Sequence, residues 1–311
     1  MRELNAEGLE LLAAQERGQM LESFHHGVVA VVDPDGNLIF SKGDAFALIY
    51  PRSATKPIQA AAMRRAGLSL PEAQAVMTMA SHYATDRQVE LVSKVLASHY
   101  VSESQLGCPA AVPWNLEAKV GKEPKPIYMN CSGKHAGFLA TSKLNGWDLE
   151  TYLQRSHPMQ MRVKALLEEF AGEKIVKTST DGCGAPLFAL STIGLARALS
   201  RFVQEEPELV AAALANPELI GDENTPDAGF LRQGLFSKLG AEGVFTVATP
   251  DGHALSLKIA DGSLRKAAAY SALLLYKLKL ISINQMNLAM NTDQTEVKGG
   301  EKTVGDWEYY F

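Results

Sequence analysis

A chain of 311 residues, 46% hydrophobic and 21% charged, has the balance of a globular protein, long enough for one large core or two modest ones. Its formal net charge of −5, with no basic block, argues against a nucleic-acid partner, and no run of 18 apolar residues offers a membrane span. The N-terminal stretch "MRELNAEGLELLAAQERGQ" lacks the apolar centre of a signal peptide, and Cys108, Cys131 and Cys183 are too few for a disulfide framework. The expectation is a cytoplasmic protein whose thiols are buried, metal-bound or nucleophilic.

In chain order, the β-branched run "GVVAVVD" (27–33), the turn "PDGN" (34–37) and "LIFSKGD" predict a β-hairpin. Helical periodicity follows: an alanine-rich segment over 57–66, stopped by Gly67, then 69–80, where Ser69 and Glu72 stand at capping-box spacing. A Thr–Asp cap opens a helix over 85–100, and 149–172, 186–203 and 206–217 read as further helices. Near the C-terminus, "GVFTVAT" (243–249), "PDGH" and "ALSLKIADG" (254–262) repeat the hairpin pattern before an apolar helix over 263–281. These elements predict an α/β fold in one catalytic unit. An antiparallel sheet is built from N- and C-terminal strands, with an α/β part over 1–60 and 185–311 and a helical insertion over 61–184.

The chemistry gathers in a few short stretches. In "RSATKPIQAA" (52–61), Ser53 and Lys56 are three apart and share a face at a helix start, where Pro57 costs little. The helix dipole and burial both disfavour an ammonium there, so Lys56 can be neutral and take a proton from serine. Ser81 and His82 fall at the helix junction in "TMASHYATD" (78–86), and Lys258 alternates with Leu255, Leu257 and Ile259 so as to face away from them. In "MNCSGKHAGFLA" (129–140), Asn130, Cys131, Ser132, Lys134 and His135 surround Gly133 where a loop enters a helix. "STDGCGAPLF" (179–188) exposes Asp181 and Cys183 on a tight turn. Each stretch alone also has a plain structural reading, as a cap, a solvated lysine or a buried thiol.

Together the segments "ERGQMLESFHHGVVAVVDPDGNLIFSKGD", "YPRSATKPIQA", "MASH", "MNCSGKHAGF", "TDGCGAPLFAL" and "LSLKIADGSLR", with the tail "NTDQTEVKGGEKTVGDWEYYF", cover nearly the whole chain. They resemble the rhizobial-type (class 3) L-asparaginase family. That resemblance implies a serine β-lactamase/glutaminase-like fold and two serine–lysine tandems, Ser53 with Lys56 and Ser81 with Lys258. It implies a zinc site at Cys131, Lys134 and Cys183, and substrate contacts from Arg52, His82, Asn130, His135 and Asp181. It further implies a homodimer with no organic cofactor. Where the family commonly follows its Ala–Ser–His with Gly–Glu, this chain has "YATD", beginning with the much larger Tyr83.

The expected reaction is hydrolysis of the side-chain amide of L-asparagine to L-aspartate and ammonia, with Ser53 as nucleophile. The alternatives are another serine amidohydrolase of the same fold, acting on glutamine, a β-lactam or a peptide amide, a thiol amidase using Cys131 with His135, or a non-catalytic relative that binds an amino acid.

Overall fold

The structure is a computed structural model that describes residues 2–290 and 296–311. Positions 291–295 of the family-like tail lie outside the described residues. The main sheet comprises β1 (Glu10–Arg17), β2 (Met20–Val32), β3 (Leu38–Lys42), β4 (Phe236–Gly240), β5 (Val244–Ala248), β6 (Ala254–Ile259) and β7 (Trp307–Tyr309). Its order is β7-β1-β2-β6-β5-β4, with β3 also on β2, and every pairing is antiparallel. The expected sheet from both ends of the chain is therefore present. β2 joins its parts: Met20–Gly27 pairs with β1, while Gly27–Val32 pairs with β6.

Ten helices are used below: α1 (Lys56–Arg65), α2 (Glu72–Met79), α3 (Asp86–Ser98), α4 (Ser132–Leu144), α5 (Pro158–Ala171), α6 (Thr192–Glu205), α7 (Pro207–Ala215), α8 (Pro226–Leu231), α9 (Ala267–Lys277) and α10 (Ile283–Met290). Strand alternation sorts the sheet's side chains between two cores. Val29, Val31, Phe245, Val247, Leu255 and Leu257 share one core with Tyr270, Leu274 and Leu275 of α9. Val28, Ala30, Val32, Val244 and Ala254 share the other with Leu195, Leu199 and Phe202 of α6. The result is a helix–sheet–helix sandwich, each buried large apolar side chain contributing about 1.5–3 kcal/mol. Residues 61–184 hold α2 to α5 and no strand of the main sheet. Among the described residues, no helix is long and apolar enough to cross a membrane.

Several expected elements have different limits. β1, "ELLAAQER", is a strand despite a helix-favouring composition, because its middle is buried between β2 and β7. The segment 149–172 is helical only from Pro158, since the His157 side chain caps that end by accepting the Met159 N–H at 3.1 Å. Residues 186–191 are extended: Pro186–Phe188 pairs with Thr178–Thr180, Leu190–Ser191 pairs with Leu48–Ile49, and Ser191 then caps α6. Ser69 and Glu72 make no capping box, because Pro71 occupies the cap of α2, whereas Thr85 and Gln88 make one at the start of α3. The C-terminal apolar helix starts at Ala267, after Lys266 in the left-handed region.

Two close approaches bring neighbouring backbones together, one between two helices and one between the sheet and the turn at Pro51. A Cβ at Gly133, in α4, would lie 2.2 Å from the Met77 carbonyl oxygen of α2. A Cβ at Gly240, ending β4, would lie 2.4 Å from the Pro51 oxygen. Only glycine lets these backbones meet.

Candidate active site

Pro51 leads into a 3₁₀ turn, Arg52–Thr55, which runs directly into α1. The Lys56 N–H bonds the Ser53 carbonyl. In a 3₁₀ turn, residues three apart eclipse, so Ser53 and Lys56 lie on one side, and Pro57 sits in the first turn of α1. Arg52 has φ 52°, a left-handed value that strains a non-glycine residue. Its guanidinium Nε donates to Asp181 Oδ1 at 2.6 Å, tying the strained residue to the 179–188 loop.

Lys56 is 1% exposed, and its amine reaches three oxygens: Ala80 O at 2.6 Å, Ser81 Oγ at 3.1 Å and Asn130 O at 3.4 Å. The lysine expected to serve Ser53 is thus hydrogen-bonded to Ser81. Burial pulls its pKa down to about 8; the Lys134 and Lys238 charges add to the fall, and Cys131 opposes it. Ser53 and Ser81 line one cavity of about 310 Å³, together with Asn130 and Ala241. Tyr83 and Trp114 also line it, packed edge to face with ring centres 5.6 Å apart. The remaining wall is apolar, from Pro226, Leu239, Phe245, Leu264, Ala267 and Ala268.

Behind Arg52 lies a second, charged cluster. The Lys134 amine donates to Cys183 Sγ at 3.2 Å, and Cys183 Sγ lies 3.9 Å from Asp181 Oδ2. The Cys131 thiol donates to Cys183, holding that sulfur well below the usual thiol range while Cys131 itself is pushed up. Burial disfavours the Lys134 charge, yet Cys183, Cys131 and Asp181 outweigh it and hold the ammonium above its ordinary value. Asp181 stays below the usual carboxylate range, with burial opposed by Lys134 and Arg52. Among the described residues, no group of three or more His, Cys, Asp and Glu side chains is arranged to hold a metal. The converging donors are two sulfurs and one amine, a set that fits a thiophilic cation only once Lys134 has lost its proton.

Both candidate histidines are fully buried and do not line the cavity. His82 Nδ1 accepts the Ala84 N–H at 3.1 Å, which puts the ring proton on Nε2, 2.8 Å from Ser132 Oγ; Ser132 in turn donates to Ile127 O. His135 Nδ1 meets the Tyr152 hydroxyl at 2.7 Å. Burial holds each imidazole neutral, at about 3.

Lys258 departs from its expected pairing. It lies on β6 opposite Val28 and Val244, and its amine donates to the Ile259 carbonyl at 3.0 Å and to that of Glu242. Among the described residues it has no hydrogen bond with Ser81. Burial lowers its pKa. A different lysine, not singled out by the sequence, is buried behind the cavity. Lys238, on β4 next to the lining residue Leu239, is 0% exposed and pairs with the equally buried Asp227 at 3.1 Å. Ser237 Oγ donates to the other Asp227 oxygen at 2.9 Å. The available signal was a lysine on an otherwise apolar strand, "LFSKLG", with an aspartate after Pro226 to neutralise it. Trp114 and Tyr152 had no motif to mark them.

A family profile described as L-asparaginase II matches residues 13–309. A search of curated proteins finds no match to this sequence. Among solved structures, the chain is similar to a β-lactamase from Mycobacterium bovis, at 16% identity and TM-score 0.36, over 81% of this chain and 94% of that one. It is also similar to a Bacillus glutaminase, at 12% identity and TM-score 0.44, over 82% of this chain and 91% of that one. On the strength of a profile that spans all but the two ends, the chain belongs to the L-asparaginase II family and is an amidohydrolase.

Proposed function

We propose that the enzyme hydrolyses the side-chain amide of L-asparagine, with Ser53 as nucleophile and Lys56 as proton carrier. One observation carries this reading: a fully buried lysine amine lies 3.1 Å from one serine and one turn from another, and both serines open on the same cavity. With Lys56 neutral, its two N–H groups satisfy the Ala80 and Asn130 carbonyls, and its lone pair is left for a serine hydroxyl. Ser53 Oγ attacks the amide carbon as its proton passes to Lys56, and Ser81 relays that proton to the departing ammonia. The Ser53 N–H has no carbonyl partner among the described residues and is available to the oxyanion. Water then releases aspartate. Arg52 and Asp181, next to Ser53 in the fold, are the charged pair suited to the substrate's carboxylate and ammonium. Lys238, held by Asp227, adds positive charge that helps keep the Lys56 amine neutral. Lys258 has no step assigned to it.

Cys131, Lys134 and Cys183 are the residues that would hold zinc, and the ion would supply a positive anchor for the substrate's carboxylate. Elemental analysis of protein purified without chelators tests this: zinc at one ion per chain supports it, and a zinc-free, fully active enzyme removes it.

A second reading has Ser81 as the nucleophile, favoured by its hydrogen bond to Lys56. Ammonia release from asparagine and from glutamine, measured for wild type, Ser53→Ala and Ser81→Ala, tests the reaction and the assignment together. Asparagine is expected to exceed glutamine, with the larger loss in Ser53→Ala. A mass shift of one aspartyl group that survives in Ser53→Ala and vanishes in Ser81→Ala assigns the attack to Ser81. Asparagine binding without ammonia release would leave a non-catalytic relative.

A further inference from the structure

The cavity beside the two serines holds no formally charged side chain among its lining residues. Free asparagine carries both an ammonium and a carboxylate. Placing either there would strip it of water without a partner, a large penalty in an apolar site. Apart from Lys56, the charged groups adjoining Ser53 are instead Arg52 in the preceding residue, with Asp181 and Glu242 paired to it. The acyl half of the substrate therefore belongs on that side of Ser53. What remains for the uncharged cavity is the other half, the amine that leaves.

Ammonia does not account for such a space. At about 310 Å³, it is at the lower end of cavities that hold whole small-molecule ligands. Its walls are suited to a flat apolar group. Tyr83 and Trp114 stand edge to face on one side, and Leu239, Phe245, Leu264 and Pro226 supply the rest.

We infer that the enzyme's substrates include secondary amides of the asparagine type, in which the side-chain nitrogen bears an apolar, preferably aromatic, substituent lodged between the Tyr83–Trp114 pair and Leu239. This rests on the amidohydrolase reading of Ser53. In the reaction the serine oxygen–carbon bond forms and the carbon–nitrogen bond breaks. The serine proton travels through Lys56 to the leaving arylamine, and water then frees the aspartyl group and restores the serine. No redox partner is required.

The test compares L-asparagine with L-aspartic acid β-anilide, following ammonia and aniline release, in wild type, Tyr83→Gly and Trp114→Ala. Because Trp114 is half exposed, its variant keeps a folded reference if Tyr83→Gly is unstable. Wild type is expected to favour the anilide in kcat/KM by roughly tenfold or more, as apolar contacts of this kind discriminate. Each variant should pull that ratio towards unity. A wild-type ratio at or below unity, or a ratio unmoved in both variants, overturns the inference while leaving the asparaginase reading intact. If neither amide is cleaved, the hydrolytic reading fails and calorimetric binding decides the cavity's role. Tighter binding of the anilide, weakened in Trp114→Ala, supports it; equal binding of the two compounds overturns it.

Discussion

Two lysines of this protein are buried to nearly the same degree, Lys56 at 1% and Lys134 at 2% exposure, yet their surroundings push them in opposite directions. Lys56 faces two carbonyls and a hydroxyl, all neutral, and burial draws it down to about 8. Lys134 faces the Cys183 sulfur with Asp181 behind it, and these anions hold its ammonium against the same burial. Desolvation lowers both lysines, and only at Lys134 do neighbouring anions outweigh it and reverse the sign. The neutral pocket makes Lys56 the easier of the two to deprotonate, as the proposed base requires, and the charged pocket keeps Lys134 an ammonium.

The comparison breaks most decisively at Lys56. Lys56→Met should lose about 10²–10⁴-fold in kcat, the usual contribution of a positioned proton carrier. Its thermal stability should change much less than its activity, because removing a buried amine with no countercharge is offset by the donor lost to the Ala80 and Asn130 carbonyls. If the variant keeps full activity, Lys56 is not the base. Lys134→Met should show the reverse order of effects, unfolding more easily by about 3–5 kcal/mol in denaturant titrations, since it leaves the buried Cys183 sulfur without its cation while Asp181 keeps only Arg52.

The pH profile sharpens the contrast. Lys56 must be neutral to accept a proton, so kcat/KM should climb as pH rises through about 8 and level off above it. A profile already flat between pH 6 and 9 would contradict a role for this amine. The smallest effect concerns His82, whose folded value of about 3 lies below its ordinary 6.5. The unfolded chain then binds the extra proton. Stability attributable to His82 is complete above pH 6.5 and falls by about 1.4 kcal/mol per pH unit as acid is added towards pH 3. His82→Gln should flatten that slope in chemical unfolding measured between pH 6.5 and 5.

The sequence makes some of this arrangement plain and hides the rest for physical reasons. The two "PDG" turns between apolar runs announce hairpins because local chemistry fixes them, and they become β2–β3 and β5–β6. Thr85 announces α3 in the same way. β1 was hidden because "ELLAAQER" is a strand only through its neighbours, and burial overrode its helical preference. Ser53, Lys56 and Ser81 were legible as chemistry, but not their connection. Spacing along one helix start put Lys56 with Ser53, whereas its hydrogen bond goes to a residue brought in from the α2–α3 junction. Alternation along β6 correctly turns Lys258 away from Leu255 and Leu257. It says nothing of where a four-carbon side chain ends, and this one ends on the carbonyls of Glu242 and Ile259. Lys238 had only the apolar strand around it as a signal, because the Asp227 that neutralises it comes from another element.

The contact between Gly240 and Pro51 also bears on when the protein acquires its chemistry. Synthesis delivers Ser53, Lys56 and Ser81 early, but a domain folds as a unit, and β2 waits for β6 from near the C-terminus. The strand that abuts the Ser53 turn comes much later, with Lys238 and Leu239 on it. Until β4 is made and seated, the serines have no closed cavity and Lys56 lacks one of the charges that lower its pKa. A chain shortened before β4 would thus lack both the Leu239 wall and the Lys238 charge of the finished molecule.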